Sequence, residues 1–313
     1  MPALITGSFA YDTIMVFHDR FKNHILADQT HILNVSFYVP KMRREFGGCA
    51  GNIAYNLKLL GGDPLPMGAV GEDFAPYRRW LEENHIDLTH ILEVPGTFTA
   101  QAFVTTDADN NQITAFHPGA MDHAHQNKVS DAAGIDLGII APDGHDAMLQ
   151  HAVQFSEAGI PFIFDPGQGL PMFTGADLDR FIEQATWVVV NDYEAELLQE
   201  KTGKSLDHIA SRVETLIVTR GAKGADIHTG GALIRIGAAR IAEAKDPTGC
   251  GDAFRAGLLY GLANQLDWQT SGQIASLMGA IKIEHHGTQN HRFNRPEFEA
   301  RYRENFGASL NLS

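Results

Sequence analysis

Four short runs in the middle of the chain do most to restrict its fold. Gly138-Ile139-Ile140-Ala141, Pro161-Phe162-Ile163-Phe164-Asp165, Trp187-Val188-Val189-Val190-Asn191 and Leu216-Ile217-Val218-Thr219 are apolar on consecutive residues and rich in β-branched and aromatic side chains. A strand with one wet face alternates polar and apolar residues, whereas a strand apolar throughout needs cover on both faces, which crossover helices give to parallel sheets. The runs recur every ~25 residues, enough for one helix and two loops between parallel neighbours. Leu4-Ile5-Thr6-Gly7 starts the same rhythm and leads into a turn-like stretch ending at Asp12. An α/β layered fold with a mainly parallel central sheet is expected. Three of the later strands end in polar residues, Asp165, Asn191 and Thr219, and ligands of open parallel sheets bind outside such carboxyl ends.

Two segments break this rhythm. His31–Val39, and Gln101–Thr106 followed through the Asp109-Asn110-Asn111 turn by Gln112–Phe116, alternate polar and apolar residues. They read as antiparallel strands with one exposed face, forming a small sheet that could cover a site or, as edge strands do, pair with a second subunit. No linker or repeat interrupts the chain, so residues 1–313 are expected to form one domain, its lid strands drawn from about 13–46 and 90–118.

Composition removes several partners. With 24 Lys plus Arg against 38 Asp plus Glu, the net charge is −14, and such a field repels nucleic acid and anionic membranes unless a basic patch overrides it. No run approaches the ~18 apolar residues of a membrane span, and Met1–Gly7 lacks the basic start of a secretory signal. The two cysteines, Cys49 and Cys250, lack the spacing of a disulfide framework or a zinc site. A reducing cytoplasm fits both.

The most informative stretch is Asp246-Pro247-Thr248-Gly249-Cys250-Gly251-Asp252, followed by the apolar segment Ala253–Leu262. Glycines 249 and 251 permit a bend that lets successive N–H groups converge, and a helix is expected from Asp252. Unpaired amides at a helix N-terminus can hold a phosphoryl group, and a carboxylate in the first turn can take a proton from an attacking hydroxyl. An ordinary glycine turn with an N-terminal acid reads equally well from this stretch alone.

These residues resemble the C-terminal signature of the ribokinase-like sugar and nucleoside kinases, the phosphofructokinase-B family. Gly47-Gly48-Cys49-Ala50-Gly51-Asn52 resembles the family's substrate motif, with Asp12 at the expected place. Asn191-Asp192-Tyr193-Glu194 resembles its magnesium motif, and Thr219-Arg220-Gly221-Ala222-Lys223-Gly224 its nucleotide segment. Pro247 and Cys250 depart from the commoner Thr and Ala. The resemblance implies a three-layer α/β/α fold with a small β lid, and an ATP- and Mg2+-dependent phosphotransferase. It makes Asp252 the base and the amides of Gly249, Cys250 and Gly251 the charge stabilisers. Asp12, Gly47, Gly48 and Asn52 would bind substrate, Asn191, Thr219, Gly221 and Gly224 the nucleotide. Asn191 and Glu194 would hold magnesium through water, although Asn-x-x-Glu is also a helix-start pattern. A potassium ion near Asp246 and Thr248 is implied as well.

Arg43–Leu57 looks closest to adenosine-kinase-like bacterial nucleoside kinases, so the expected substrate is a purine ribonucleoside phosphorylated on its 5′-hydroxyl. Phe37, Tyr38, Phe103 and Phe116 could flank a base or simply pack the small sheet. A ribokinase or fructokinase is the second reading, and a ligand sensor without chemistry the third. Other signals fail. Gly203-Lys204-Ser205 would need a glycine where Leu198 stands to be a P-loop, and Thr219 occupies the first glycine position of a dinucleotide fingerprint. His117, His123 and His125 have no carboxylate partner in metal-site spacing and read as solvated. His285-His286 is expected to close the last helix. Cys250, at a helix start, could carry a lowered thiol pKa or be merely small.

Overall fold

In a computed structural model, residues 1–25, 34–109 and 111–310 are described. The main sheet has nine strands in the order β13-β12-β11-β10-β9-β8-β1-β4-β5: β1 (Pro2–Thr6), β4 (Asp63–Val70), β5 (His90–Glu93), β8 (Leu137–Ile140), β9 (Phe162–Phe164), β10 (Trp187–Asn191), β11 (Thr215–Thr219), β12 (Ala225–Thr229) and β13 (Ala232–Ile236). The seven strands from β11 to β5 in that order run parallel, and the β12–β13 hairpin closes one edge antiparallel.

The consecutive apolar residues divide between two helical layers by the period of two. Ile139, Ile163, Val189 and Ile217 join the core beneath α1 (Cys49–Leu59), α2 (Ala75–Glu83), α7 (Cys250–Ala263), α8 (Trp268–Ile283) and α9 (Arg295–Phe306). Their neighbours Ile140, Phe164, Val188 and Leu216 join the opposite core beneath α3 (His145–Glu157), α4 (Gly175–Gln184), α5 (Asp192–Thr202) and α6 (Leu206–Ala210). Each layer removes large side chains from water completely, at about 1.5–3 kcal/mol for each.

The second sheet, in the order β3-β2-β6-β7, joins β2 (Ala10–Val16), β3 (Lys41–Gly47), β6 (Ala100–Thr106) and β7 (Gln112–His117). Its outer pairs are antiparallel, and β2 runs parallel to β6. Here two expectations need correction. Asp12 does not end a turn; it lies within β2, opposite Glu45. Within the expected strand His31–Val39, residues 31–33 lie outside the described residues and 34–39 form no strand. The strand is Lys41–Gly47 instead, because β2 pairs with it from Val16↔Lys41 to Ala10↔Gly47, and pairing overrides the weak strand preference of four charged residues. In the Asp109-Asn110-Asn111 turn, Asn110 lies outside the described residues.

Strand β4 carries Pro64 and Pro66 and has no strand signature in the sequence. Strand β5 pairs with β4 only from Met67 onward, so both prolines sit where β4 has β1 as its single neighbour. His285-His286 does not close the last helix: α8 ends at Ile283 and α9 follows. His285 Nδ1 does meet the Ile281 carbonyl, 3.0 Å away, near the end of α8. No helix among the described residues is long and apolar enough to cross a membrane.

Candidate active site

The carboxyl ends of β9, β10 and β11 open into a cavity of about 820 Å³, lined by Asp165, Asn191, Glu194, Thr219, Gly221 and Gly224 on the sheet side and by Gly249, Cys250, Gly251 and Asp252 on the other. An apolar wall of Ala238, Ala239, Ile241, Ala280 and Ile283 completes it. Nothing in the spacing of those five residues marks them in advance; only folding brings them to one place.

Helix α7 begins two residues earlier than expected, at Cys250, with Gly249 as its N-cap at φ 78°. Gly251 is helical, so the bend rests on Gly249 alone. The Cys250 N–H donates to the Pro247 carbonyl at 3.1 Å, which corrects its expected role as a phosphoryl donor. The N–H groups of Gly249, Gly251 and Asp252 have no protein acceptor among the described residues, leaving a helix N-terminus open to an anion. Burial, the largest influence, pushes the Cys250 thiol up to about 11, so it is a small neutral side chain and no thiolate.

Asp252 faces the cavity from the first turn of α7, and its Oδ2 accepts a 2.7 Å hydrogen bond from Asn52 Nδ2. Its carboxyl is pushed up to about 6, chiefly by burial and further by the charge of Asp165, against the opposing effects of Asn52 and Arg255. Arg255, one turn along the same helix face, donates from Nε and Nη2 to the two oxygens of Asp165 at 3.0 and 2.9 Å. It also stands 3.9 Å from Glu194 Oε2. One buried guanidinium therefore lies among three carboxylates, which lowers the cost of gathering them.

A continuous set of hydrogen bonds joins Asp252 to the substrate motif. Gln289 Nε2 donates to Asn52 Oδ1 at 3.0 Å and to the Tyr77 hydroxyl. Tyr77 Oη donates to the Gly47 carbonyl at 2.9 Å. Trp80 Nε1 holds Gln289 Oε1 at 2.9 Å. Gln289 was missed in the sequence, where nothing distinguishes it. Gly48 is the N-cap of α1, but that helix start is no anion site, since Ser8 accepts from the amides of Cys49 and Ala50.

Asp12 stands beside Gly47. Burial first, then repulsion by Asp246 and Glu45, raises its carboxyl to about 6. A β-carbon on Gly47 would lie 2.6 Å from Asp12 Oδ2, so this glycine is what lets the carboxylate occupy its place. Gly47→Ala should raise the KM for the hydroxylated substrate by about ten- to a hundredfold, the worth of one or two hydrogen bonds to a charged group, with kcat changing less. Steady-state kinetics check this, and an unchanged KM would separate Asp12 from substrate binding.

Asn191 and Glu194 do form a helix start. Asn191 Oδ1 accepts from the Glu194 N–H at 2.7 Å, while Glu194 accepts from the Asn191 N–H and Nδ2, each at 2.8 Å. Asn191 is thus spent on the capping box, which leaves Glu194 as the member of the pair with free lone pairs for the expected magnesium. Glu194 lines the cavity and keeps lone pairs unused; burial, ahead of Asp165, raises its carboxyl. Phe37 packs against Phe17 and Phe21 at 5.0 Å, while Tyr38, Phe103 and Phe116 are exposed. None of these four lines the cavity, and the packing account holds for Phe37 alone.

Asp246 binds the Thr248 amide through Oδ1 and the Gly287 amide through Oδ2, both at 2.9 Å. Burial would raise this carboxyl, but the amides of Thr248 and Gly287 outweigh it and hold it below its ordinary value. The Asp246 carbonyl is also taken, by Lys282 Nζ at 2.8 Å. The residues beside Thr248 therefore do not fit the expected potassium.

The sequence profile of the pfkB carbohydrate kinase family matches residues 9–294. A nucleoside kinase of Methanocaldococcus jannaschii is 31% identical over 258 residues, covering 82% of this chain and 85% of the relative. The structure of Burkholderia thailandensis nucleoside kinase in complex with inosine aligns with a TM-score of 0.89 at 53% identity, over 98% of this chain and 99% of that one. Its complex with ADP-inosine aligns at 0.88 and 54% identity, over 99% of this chain and 98% of that one. The ribokinase of Thermotoga maritima, 19% identical with a TM-score of 0.80 over 96% of this chain and 98% of that one, shares the fold. The profile match takes in every residue that lines the cavity and both ends of the hydrogen-bonded path to Gly47, and this chain is a member of the pfkB family of carbohydrate kinases.

Proposed function

We propose that the protein transfers the γ-phosphoryl group of ATP to the 5′-hydroxyl of a purine ribonucleoside. The observation that carries this reading is the path from Asp252 through Asn52, Gln289 and Tyr77 to Gly47, which couples a proton acceptor at an open helix N-terminus to the place where Asp12 can meet vicinal hydroxyls. The choice of a nucleoside over a free sugar is supported by the inosine-bound relative at 53% identity.

In this reading Asp252 removes the hydroxyl proton as the oxygen attacks the γ-phosphorus and the bond to the β-phosphate oxygen breaks. The open amides of Gly249 and Gly251 receive the charge spread over the transferring group. Asp12 accepts from two ribose hydroxyls, and Thr219, Gly221 and Gly224 line the nucleotide's side of the cavity. Magnesium, when bound, would neutralise phosphate charge. Glu194 suits it, because this ion keeps most of its waters and takes few protein ligands. The lid sheet would exclude water, the competing acceptor.

A phosphorylation panel tests the assignment. Inosine, adenosine or guanosine should be converted, ribose and fructose poorly. Strong turnover of ribose or fructose with no nucleoside product would reverse it in favour of a sugar kinase. The pH profile gives a second check. With Asp252 and Asp12 both titrating at about 6, and both needed ionised, kcat/KM should fall below that pH more steeply than kcat, which reports Asp252 in the bound complex. A flat profile down to pH 5 would remove Asp252 as the base.

A further inference from the structure

We propose that the ammonium of Lys282 supplies, from within the chain, the single positive charge that a bound monovalent cation would otherwise bring to the loop before α7, so that phosphoryl transfer here needs no potassium. The inference rests on the kinase reading above and concerns the same site. Lys282 is completely buried in the last turn of α8, where a cation is favoured by the helix dipole. Its Nζ donates to the carbonyls of Asp246 at 2.8 Å and His285 at 3.1 Å. Main-chain carbonyls converging on one point are what a dehydrated potassium ion takes as ligands, and an ammonium with three donors and no acceptor satisfies them equally.

Both carbonyls belong to segments that shape the active site. Asp246 leads through Pro247 and Thr248 to Gly249, and its carboxylate binds the amides of Thr248 and Gly287. His285 leads to Thr288, which packs beside Gly249 and donates to the Phe46 carbonyl, next to Gly47. Lys282 thereby ties the phosphoryl side of the site to the substrate side. It touches neither reactant and acts by positioning.

The test compares the unaltered protein with Lys282→Ala and Lys282→Met in choline chloride and in potassium chloride of equal ionic strength, following both turnover and thermal melting. The unaltered protein should differ by less than about twofold between the salts, since displacing a loop by even 1 Å would cost ~100-fold. Lys282→Ala should lose about 100-fold in kcat, with KM moving less, and regain at least about tenfold with potassium or ammonium ions, because those ions can enter the vacated cradle. Its melting temperature should rise with potassium, as a ligand of the folded state requires. Lys282→Met fills the stem and should show neither recovery.

A requirement of the unaltered protein for potassium would overturn the proposal, as would a Lys282→Ala variant with normal turnover or one indifferent to both ions. Should neither variant fold, the salt comparison on the unaltered protein decides alone. If the unaltered protein converts no nucleoside in any salt, the nucleoside kinase reading has failed, and the melting comparison still decides the cation question.

Discussion

Asp252→Asn should lower turnover by about 10³- to 10⁴-fold, the usual worth of a positioned general base, while the nucleoside dissociation constant stays within a few-fold. The substitution preserves shape, and the asparagine oxygen can still accept the bond from Asn52 Nδ2 that Asp252 Oδ2 now receives. Arg255 keeps its two-bonded partner Asp165, so no buried cation is stranded. The variant should also melt at a higher temperature at neutral pH. The sign follows from linkage: the folded carboxyl titrates at about 6, above its ordinary 3.8, so the folded state binds protons more tightly than the unfolded chain between those values. Stability due to this group is therefore present at low pH and lost as the pH rises through about 6. The advantage of the asparagine should be full above that pH and vanish below the ordinary value. Residual turnover within tenfold of normal would exclude Asp252 as the base, and loss of nucleoside binding in equal measure would recast it as a binding group. A variant that binds without turnover also answers the sensor reading, since a sensor would lose nothing by the exchange.

What the sequence disclosed follows from the range of the forces involved. Strands β8, β9, β10 and β11 were legible because burial on both faces leaves an uninterrupted apolar run in the residues themselves. The β12–β13 hairpin had a local mark, the Gly230-Gly231 pair at φ 55° and 75°, of the kind that two-residue hairpin turns require. Strand β3 had none, for its four charged residues are held by β2, and that pairing is decided elsewhere in the chain. The same division runs through the site. Asp12, Asn52 and Asp252 stand in motifs whose residues are neighbours in sequence. Gln289 meets Asn52 across 237 positions, and Lys282 meets Asp246 across 36, and neither side chain differs from an ordinary helix or loop residue until the fold joins them. Arg255 is intermediate: three residues beyond Asp252, it shares a helix face with it, a spacing that could have been read.

Gly249→Ala should be nearly as damaging as loss of the base, lowering kcat by about 100-fold or more with a smaller change in the nucleoside KM, because it moves the amides that meet the phosphoryl group. Gly249 caps α7 at φ 78° and ψ 2°, a left-handed conformation that costs an L-residue roughly 1–2 kcal/mol. A β-carbon there would also stand 3.1 and 3.2 Å from Thr288 Cγ2 and Cβ. Thr288 cannot withdraw freely, since its hydroxyl is bonded to the Phe46 carbonyl and its residue relative exposure is only 2%. The strain is relieved by turning Gly249 toward an ordinary φ, which swings its N–H and that of Gly251 away from a shared point. The loss should therefore concentrate in turnover and ATP use, with inosine binding measured by calorimetry nearly intact. If the variant instead lost inosine binding while kcat held, the open amides of α7 would face the nucleoside, and the assignment of the phosphoryl and substrate sides of the site would have to be exchanged.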